Sequence, residues 1–374
     1  DSQRAAGESG CAPFHQRASL DGMDVIPHSH LGTPDNPSPA AHDAVAVWAA
    51  DEAAQFGHDD LAYSARELAA VYGDQVRAQR AMLLAYEHDR CLGLANVELP
   101  LADNRHMIAV DFRLRPEAHG EGVMDALLAA IGNHADDDRS TLLCWPPPPR
   151  LSDTGLTPKT GTGTLPRTPS NDWFAARGFA LEQVELVSTL RVADVVERAN
   201  EVAAKSPEYD VVSWVGPTPE RWREAMALQR ASMSTDVPLG GIDMEPEVWD
   251  IARLQEFEAV ERAMGRSMVW TIAVERATGE VAAHTLIVCP EAGRTDVGFQ
   301  GDTLVRPAHQ GKRLGLRVKA ANLRQLAAAH PGVERVYTWN AGENQWMLAI
   351  NEQLGFAPAA AVGCWQRGVD KRAD

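Results

Sequence analysis

Thr303–Leu316, TLVRPAHQGKRLGL, is the stretch that decides the fold of this chain. Apolar Leu304 and Val305 are typical of the end of a buried strand, and Pro307 breaks that strand. Gly311 indicates a tight turn, and the spacing of apolar residues after it predicts a long amphipathic helix. The start of a helix has unpaired backbone N–H groups and partial positive charge, so this turn suits a phosphate or pyrophosphate group.

A second signature follows at Trp339–Phe356, WNAGENQWMLAINEQLGF. The first stretch resembles the acyl-CoA-binding motif of the GNAT N-acyltransferase superfamily, V-x-P-x-x-[RQ]-G-x-G-x-[GA], with Arg313 in place of the central glycine. The second resembles the next element of that family, N-x-x-A-x-x-L-Y-x-x-x-G-F, with Asn351 in place of the tyrosine. The matching positions are Asn344, Met347, Ile350, Asn351, Gly355 and Phe356.

The N-terminal half contains a weaker copy of both motifs. Leu114–Met124, LRPEAHGEGVM, aligns with the first motif and keeps two of its glycines. Phe174–Phe179, FAARGF, aligns with the end of the second, with Phe174 at the tyrosine position. The resemblance therefore implies an α/β (α+β) protein of two tandem GNAT-like domains, each a mixed, splayed β-sheet flanked by helices. This two-domain layout is similar to that of the mycothiol synthases.

The predicted elements place the domain boundaries. Residues 1–24 are polar and predict a disordered arm. Residues 25–195 predict a degenerate GNAT-like domain, and residues 205–374 a GNAT domain with the acyl-CoA site, joined by a short helix over residues 194–207. Residues 146–169 are rich in proline and glycine and predict a long loop.

Hydrophobic periodicity predicts the elements of the second domain. The predicted strands are Val211–Val215, Met268–Glu275, Val281–Cys289, Asp296–Val305 and Val333–Trp339. The predicted helices are Pro219–Ala231, Pro246–Met264, Gly311–Ala329 and Gln345–Leu354.

Composition argues against some classes of partner. The formal net charge of -17 disfavours nucleic acid, because phosphate binding needs a basic face. This charge is compatible with a cationic amine, but solubility is the simpler explanation. No apolar run approaches the length of a membrane span. The cysteines follow no zinc or disulfide spacing and predict a cytoplasmic protein; they are Cys11, Cys91, Cys144, Cys289 and Cys364.

The resemblance implies which residues hold the co-substrate, acetyl-CoA or another acyl-CoA, without a metal. Backbone N–H groups of the turn hold the pyrophosphate, and Leu304 and Val305 offer backbone groups to the pantetheine amides. Asn340 and Asn344 lie where the family contacts the CoA arm, although Asn is also a common helix cap. The turn residues are Gln310, Gly311, Lys312, Arg313, Leu314, Gly315 and Leu316. We expect the side chains of Arg313 and Lys312 to point outward, toward a CoA phosphate; the alternative is a plain strand–turn–helix joint.

The implied reaction is direct transfer of an acyl group to an amine. An alkyl amine has a pKa near ~10, so a group must accept its proton. Members of the family commonly use the tyrosine to protonate the leaving thiolate. Asn351 can donate a hydrogen bond to that sulfur but cannot supply a proton.

Asp302 is the first candidate for the proton acceptor, since strand alternation places it on one face with Gln300 near the cofactor turn. His284 on the neighbouring strand is the second, because the ordinary pKa of histidine suits the task. The alternatives are that Asp302 only makes structural hydrogen bonds and that His284 is an ordinary core residue. Asp236 and Asp243, in the loop at residues 234–243, are candidates for binding a cationic acceptor, with a solvated loop as the alternative.

The leading hypothesis is an acyl-CoA-dependent N-acyltransferase that acts on a small-molecule amine, with an active C-terminal domain. A non-catalytic acyl-CoA-binding or regulatory protein is the alternative, since both halves lack the tyrosine. Transfer to an amine of a protein is a third hypothesis. The sequence names neither the acceptor, the acyl chain nor the oligomeric state.

Overall fold

The computed structural model describes residues 18–20, 22–119, 122–132, 138–195 and 207–369. Its strands are β1 (Ala18–Leu20), β2 (Met23–His28), β3 (Gly32–Thr33), β4 (Asn36–Pro37), β5 (Ala78–Glu87), β6 (Arg90–Pro100), β7 (Met107–Leu114), β8 (Thr141–Trp145), β9 (Ala180–Arg191), β10 (Tyr209–Val215), β11 (Arg266–Glu275), β12 (Val281–Pro290), β13 (Val297–Val305), β14 (Arg335–Ala341) and β15 (Ala357–Gly368). Its α-helices are α1 (Pro39–Gln55), α2 (Ala65–Gly73), α3 (Val123–Gly132), α4 (Pro169–Ala176), α5 (Arg223–Ala231), α6 (Met233–Asp236), α7 (Ile251–Ala263), α8 (Leu314–Ala329) and α9 (Gln345–Leu354). No helix among these residues has both the length and the apolar character needed to cross a bilayer.

The chain repeats one pattern of elements. The order β5-β6-β7-α3-β8-α4-β9 in the first half recurs as β11-β12-β13-α8-β14-α9-β15 in the second. In each half the strand before the first of these helices is parallel to the strand after it, whereas the other neighbours in the sheet are antiparallel. The architecture is therefore the mixed α/β repeat that the two pairs of motifs predict.

All strands except β3 and β4 join one sheet of 13 strands, in the order β1-β2-β5-β6-β7-β8-β15-β9-β14-β13-β12-β11-β10. Strand β15 follows the second half in sequence, yet it lies between β8 and β9 of the first half. Strand β9 in turn pairs with β14. The two halves therefore share their central strands, while the predicted boundary between residues 195 and 205 stays a prediction.

Helices cover both faces of the sheet and bury its apolar side chains. In the second half, Leu316 and Leu323 of α8 pack against Val269 and Ile287 on one face. On the opposite face, helices α5 and α7 pack against Trp270 and its neighbours. The first half repeats this division, with α3 on the face of α8 and α1 and α2 on the other.

Several element boundaries differ from the predictions. Part of the predicted disordered arm is paired strand, because β1 pairs with β2; residues 1–17 and most of the predicted connector helix, 196–206, lie outside the described residues. Helix α7 begins at Ile251 rather than Pro246, since the Asp250 side chain caps it by accepting the N–H of Arg253. Helix α8 begins at Leu314, after a short 3₁₀ turn at Pro307–His309.

Asp60 is the buried centre of an ionic cluster that links the two halves. Its carboxylate accepts from Arg294 at 2.6 Å, from Arg335 at 2.9 Å and from the hydroxyl of Tyr337 at 2.6 Å. Burial alone would raise the pKa of Asp60, but the hydrogen bonds from Tyr337 and Arg335 outweigh it and hold that pKa below its ordinary value. The charged carboxylate therefore stabilises the folded state.

We expect Asp60→Asn to lower the melting temperature by about 5 °C at pH 7, because one charge of a buried cluster is removed. The lowered pKa means that Asp60 stabilises the fold above its unfolded pKa, near ~3.9, and that this contribution is lost as the pH falls through the folded pKa. The gap between the two proteins should therefore shrink in melts below about pH 4.

Asp59→Asn is the matched control, since Asp59 pairs with the same Arg294 at 2.7 Å but is more exposed. We expect this control to melt within about 2 °C of the parent. Equal shifts for the two variants would contradict the assignment of Asp60 as the buried centre of the cluster.

Candidate functional site

Strands β13 and β14 separate soon after they begin. They pair in parallel only from Val297 to Phe299, opposite Arg335 to Tyr337. Beyond this point β13 continues to pair with β12, whereas β14 pairs with β9. The sheet is therefore open between residues 300–305 and 338–341, and we call this opening the C-terminal wedge.

The backbone N–H of Val305 points into the C-terminal wedge. The N–H of the next residue, Arg306, donates to Ala282 O at 2.9 Å, so antiparallel alternation turns the Val305 N–H away from β12. Among the described residues no strand pairs with β13 on that side at Val305. This N–H is available to an extended ligand, as predicted for a pantetheine amide, while the side chain of Leu304 is buried.

The corresponding N–H in the first half already has a partner. Arg115 N–H donates to Leu92 O, which turns the N–H of Leu114 away from β6 in the same manner. That N–H donates to the carboxylate of Asp51 at 2.8 Å, and Asp51 on α1 is only 1% exposed. The two halves thus differ at the position where a pantetheine amide would pair.

The turn before α8 leaves backbone donors open. Its first helical hydrogen bond runs from Arg317 N–H to Arg313 O at 3.1 Å, and no described side chain caps the helix. Gly311 has a φ of 78° and Arg313 a φ of 59°, both in the left-handed region. Gly122, which aligns with Arg313, has a φ of 76°. The family's central glycine thus matches a backbone conformation that costs most other residues about 1 kcal/mol.

Two cationic side chains lie beside these backbone N–H donors. The guanidinium of Arg313 is exposed and donates to Gln353 Oε1 of α9 at 3.2 Å, so the side chain does point outward as expected. The Nζ of Lys312 donates to the hydroxyl of Tyr209 at 2.7 Å, and this hydrogen bond raises the pKa of Lys312. Gln310 donates weakly to Val305 O, at 3.5 Å.

Gly315 lies in a closely packed position. A Cβ at this position would lie 3.0 Å from Cδ1 of Ile350 on α9 and 3.5 Å from Cγ2 of Val305. The side chains of Leu314 and Leu316 are buried in the core. For these residues the side chains hold α8 in place, and only the backbone N–H groups remain for an anion.

The three asparagines that were predicted to contact the acyl-CoA form local hydrogen bonds. Asn344 caps α9, with its Oδ1 accepting from Met347 N–H at 3.2 Å, as the capping alternative predicts. The amide of Asn351 donates to Asn340 Oδ1 at 2.6 Å. Asn351 is 2% exposed, and its buried Oδ1 has no hydrogen-bond partner among the described residues. Contact of these side chains with CoA stays a prediction.

A β-bulge separates the faces of Gln300 and Asp302. The register between β12 and β13 shifts by one residue between Thr285 and Ile287, so one extra residue lies on β13. The amide of Gln300 donates to Thr285 Oγ1 on the face of α8. The Asp302 carboxylate instead pairs with Arg230 of α5 at 2.5 Å. The expectation that both share one face was therefore wrong.

Neither predicted proton acceptor is a free group. Asp302 is held by Arg230, whose guanidinium also lies over the rings of Trp249 and Phe257. His284 is fully buried, with Nδ1 3.1 Å from Gln229 Oε1. Burial lowers the pKa of His284 to about 4, and the neighbouring Asp302 only partly offsets this effect.

A cavity of about 340 Å³ lies on the face of the sheet that carries α1, α5 and α7, and we call it the central cavity. Both halves line it. The lining residues are Trp48, Glu52, Leu61, Tyr63, Asp111, Arg113, Trp145, Pro146, Pro148, Glu185, Arg266, Phe299, Trp339 and Val362. The loop predicted at residues 146–169 therefore contributes prolines to a cavity wall.

Two carboxyl groups of the central cavity have raised pKa values. Burial raises the pKa of Glu185 to about 7, with a further rise from the neighbouring Glu343. Burial also raises the pKa of Glu52 to about 7, against the opposing effect of Arg113. The sequence motifs contain neither residue; the available signal was a glutamate within an apolar strand and another on a buried helix. The described residues contain no His, Cys, Asp and Glu cluster that could hold a metal ion.

Asp236 and Asp243, the acceptor candidates of the loop at residues 234–243, lie elsewhere. Asp243 is 3.3 Å from Nε2 of His106, so this loop contacts the first half of the chain. Asp236 is the last residue of helix α6, so the start of the predicted loop was wrong. It is exposed, and its carboxylate accepts from the hydroxyl of Thr235. Neither belongs to the described lining of the central cavity.

Comparison with known proteins identifies the fold. No protein-family model and no curated protein sequence matches this chain. A solved tandem GNAT protein from the clavulanic acid biosynthesis pathway matches with a TM-score of 0.73 and 21% identity, over 94% of this chain and 100% of that one. A GCN5-related N-acetyltransferase from Sphaerobacter thermophilus matches with a TM-score of 0.58 and 14% identity, over 96% and 99%. The chain thus has the tandem GNAT fold, which confirms the predicted fold class.

We expect Arg313→Gly to raise the melting temperature by about 2 °C, because glycine adopts the left-handed conformation without strain. Arg313→Ala is the matched control, since it also loses the hydrogen bond to Gln353 but keeps a Cβ. Thermal unfolding of the two variants isolates the backbone effect. Identical melting temperatures would contradict strain at this position.

Proposed function

We propose that this chain is an acyl-CoA-dependent N-acyltransferase that moves an acyl group, with acetyl as the first expectation, to an amine of a small molecule. The observation that carries the proposal is the continuity of the C-terminal wedge with the helix start at residues 311–316. An open backbone N–H at Val305 leads directly to unpaired N–H groups and two cations. The tandem GNAT fold supports this class of reaction.

The shape of this region fits the parts of an acyl-CoA. The N–H groups of Leu314, Gly315 and Leu316 suit the pyrophosphate, because the start of a helix favours anions. Lys312 and Arg313 add positive charge at its edge. The N–H of Val305 suits a pantetheine amide, and we therefore propose that the thioester lies in the wedge between β13 and β14.

Two features of the first half support the proposal that the second half is the active one. Its N–H at Leu114 is taken by Asp51, and Phe174 at the tyrosine position is buried and stacked on Trp365 of β15. Neither group is available to a thioester in the way proposed for the C-terminal wedge. We therefore propose that the first half binds no acyl-CoA and instead forms part of the acceptor side.

The chemistry needs two proton transfers. The acceptor ammonium must lose one proton before its nitrogen attacks the thioester carbonyl, and the nitrogen loses a second as the C–N bond forms and the C–S bond breaks. The CoA thiol has an ordinary pKa near ~8.5, so its sulfur can take that second proton through water. Asn351 is proposed to orient the leaving sulfur, since an amide only donates a hydrogen bond.

A non-catalytic acyl-CoA-binding protein is the second candidate. Asn351 in place of the tyrosine and the pairing of Asp302 with Arg230 favour it. Nucleic acid, membrane and metal have no part in either proposal. The described cysteines are buried and unpaired, which supports a reducing, cytoplasmic location; they are Cys91, Cys144, Cys289 and Cys364.

Calorimetric titration with acetyl-CoA tests the site. We expect one binding site per chain, and roughly tenfold weaker binding by Arg313→Glu, because a negative charge then faces the pyrophosphate. Arg191→Glu is the matched control, since Arg191 is exposed at the end of β9, and it should bind as the parent does.

Other results of the acetyl-CoA titration would contradict particular parts of the proposal. Two sites per chain would contradict the assignment of the first half as silent, and no binding would contradict the acyl-CoA site. Release of free CoA thiol with a panel of amines then separates the two candidate functions. Tight binding without turnover would favour the regulatory protein.

A further inference from the structure

We propose that the central cavity is the acceptor site, and that it takes a small primary amine whose ammonium group is attached to an apolar, ring-sized body. In this assignment Glu52 pairs with the ammonium group and Glu185 accepts its proton. The inference rests on the proposed function, because it supplies the second substrate of the same reaction.

The central cavity borders the C-terminal wedge. Phe299 is the last residue of β13 to pair with β14 before the wedge opens, and it lines the cavity. Trp339 lines it from the opposite side of the wedge. Glu185 of β9 pairs in register with Ala341, the final residue of β14, and with Val362 of β15. An acyl group held in the wedge therefore faces the cavity and Glu185.

The charges of the cavity favour a cation. Its two arginines already have acidic partners: Arg113 lies 3.0 Å from Asp111, and Arg266 lies 2.6 Å from Glu67. Glu185 has no side-chain hydrogen bond or ion pair among the described residues. The cavity therefore has an unpaired carboxyl group that a ligand can use.

Glu52 gives an independent indication of a ligand. It is only 2% exposed, and its Oε1 accepts from the indole of Trp48 at 2.9 Å. Its Oε2 is buried and has no hydrogen-bond partner among the described residues. A buried polar atom without a partner costs about 1–3 kcal/mol, so an ammonium donor at this position would be stabilising.

The walls of the cavity favour an apolar body next to the charge. Aromatic rings supply much of its lining, and such rings bind both apolar groups and the cations beside them. The rings belong to Trp48, Tyr63, Trp145, Phe299 and Trp339. A volume of about 340 Å³ is at the lower end of the ~300–1,000 Å³ of ligand pockets, so the ligand is small.

The raised pKa of Glu185 suits a group that accepts the first proton from the ammonium group. Burial, with a smaller effect of Glu343, raises its pKa to about 7, so it is half ionised near neutral pH. The other groups that face it are Cys364 of β15 and, across the cavity, Glu52, Asp111, Arg113 and Arg266. The Glu185 carboxylate takes the ammonium proton and passes it to solvent. The amine then attacks, and its second proton goes to the CoA sulfur.

Calorimetric titration of the full chain with 2-phenylethylamine, without acyl-CoA, tests the ligand class. We expect binding at one site per chain. Two control ligands, 2-phenylethanol without the charge and ethylamine without the ring, should bind at least tenfold more weakly. Equal binding of either control would overturn the proposed substrate class.

Substitutions test the location. We expect Glu52→Gln and Glu185→Gln to weaken 2-phenylethylamine binding about tenfold each, because a charged hydrogen bond becomes neutral. Glu87→Gln, at the exposed end of β5, removes the same charge and should have no effect. Val362→Trp fills the cavity without changing charge and should abolish binding, which keeps the test valid if Glu52→Gln fails to fold. Unchanged binding in the folded cavity variants would overturn the site.

The pH profile tests the role of Glu185. In the parent we expect kcat/KM for acetyl transfer to fall as the pH drops below about 7, because Glu185 then becomes protonated. Glu185→Gln should lose this limb and about 10²–10⁴ of the rate, while its affinity for acetyl-CoA stays unchanged. A retained limb would overturn Glu185 as the proton acceptor.

The acetyl-CoA titration separates the two proposals. If acetyl-CoA binds and 2-phenylethylamine does not, the assignment of the acceptor cavity fails while the proposed function stands. If acetyl-CoA itself does not bind, the proposed function fails, whatever the amine does.

Discussion

The candidate site depends on the early separation of β13 from β14. A strand interior must satisfy its backbone N–H and C=O groups, and a parallel neighbour normally does so. Here that neighbour is lost after Phe299, so the backbone of β13 up to Val305 faces an opening. The first half meets the same requirement with the carboxylate of Asp51, whereas the N–H of Val305 in the second half faces the opening. One buried side chain thus makes the two similar halves differ at this position.

The sequence predicted the parts of the site that local chemistry controls. The glycine-bearing turn, helix α9 and the outward direction of Arg313 all follow from short motifs and agree with the structure. Strand alternation failed at Asp302, because a bulge inserts one residue next to Gly301. A glycine inside a strand is a signal for such a bulge, and the prediction did not use it. The catalytic assignments of Asp302 and His284 from strand positions, and of Asn351 from a motif, stay untested.

Other features were beyond reach of the sequence because they depend on distant contacts. The place of β15 between β8 and β9 is a choice among strand edges that lie far apart in the chain. The raised pKa values of Glu52 and Glu185 come from burial in the folded chain, which no local segment of the sequence shows. The first half still matters to the site although its wedge N–H is occupied, since ten of the 14 residues that line the central cavity belong to it.

Strand β15, which comes last in the chain but lies between two strands of the first half, also determines the order in which the molecule can fold during synthesis. Domains generally fold from the N-terminus as the chain emerges. In this chain the first half cannot complete its sheet at that stage, because the position between β8 and β9 is filled by residues 357–368. Until those residues leave the ribosome, β8 and β9 each expose an unpaired edge of the kind that invites aggregation. Productive folding of the first half is therefore a late event, completed together with the second half.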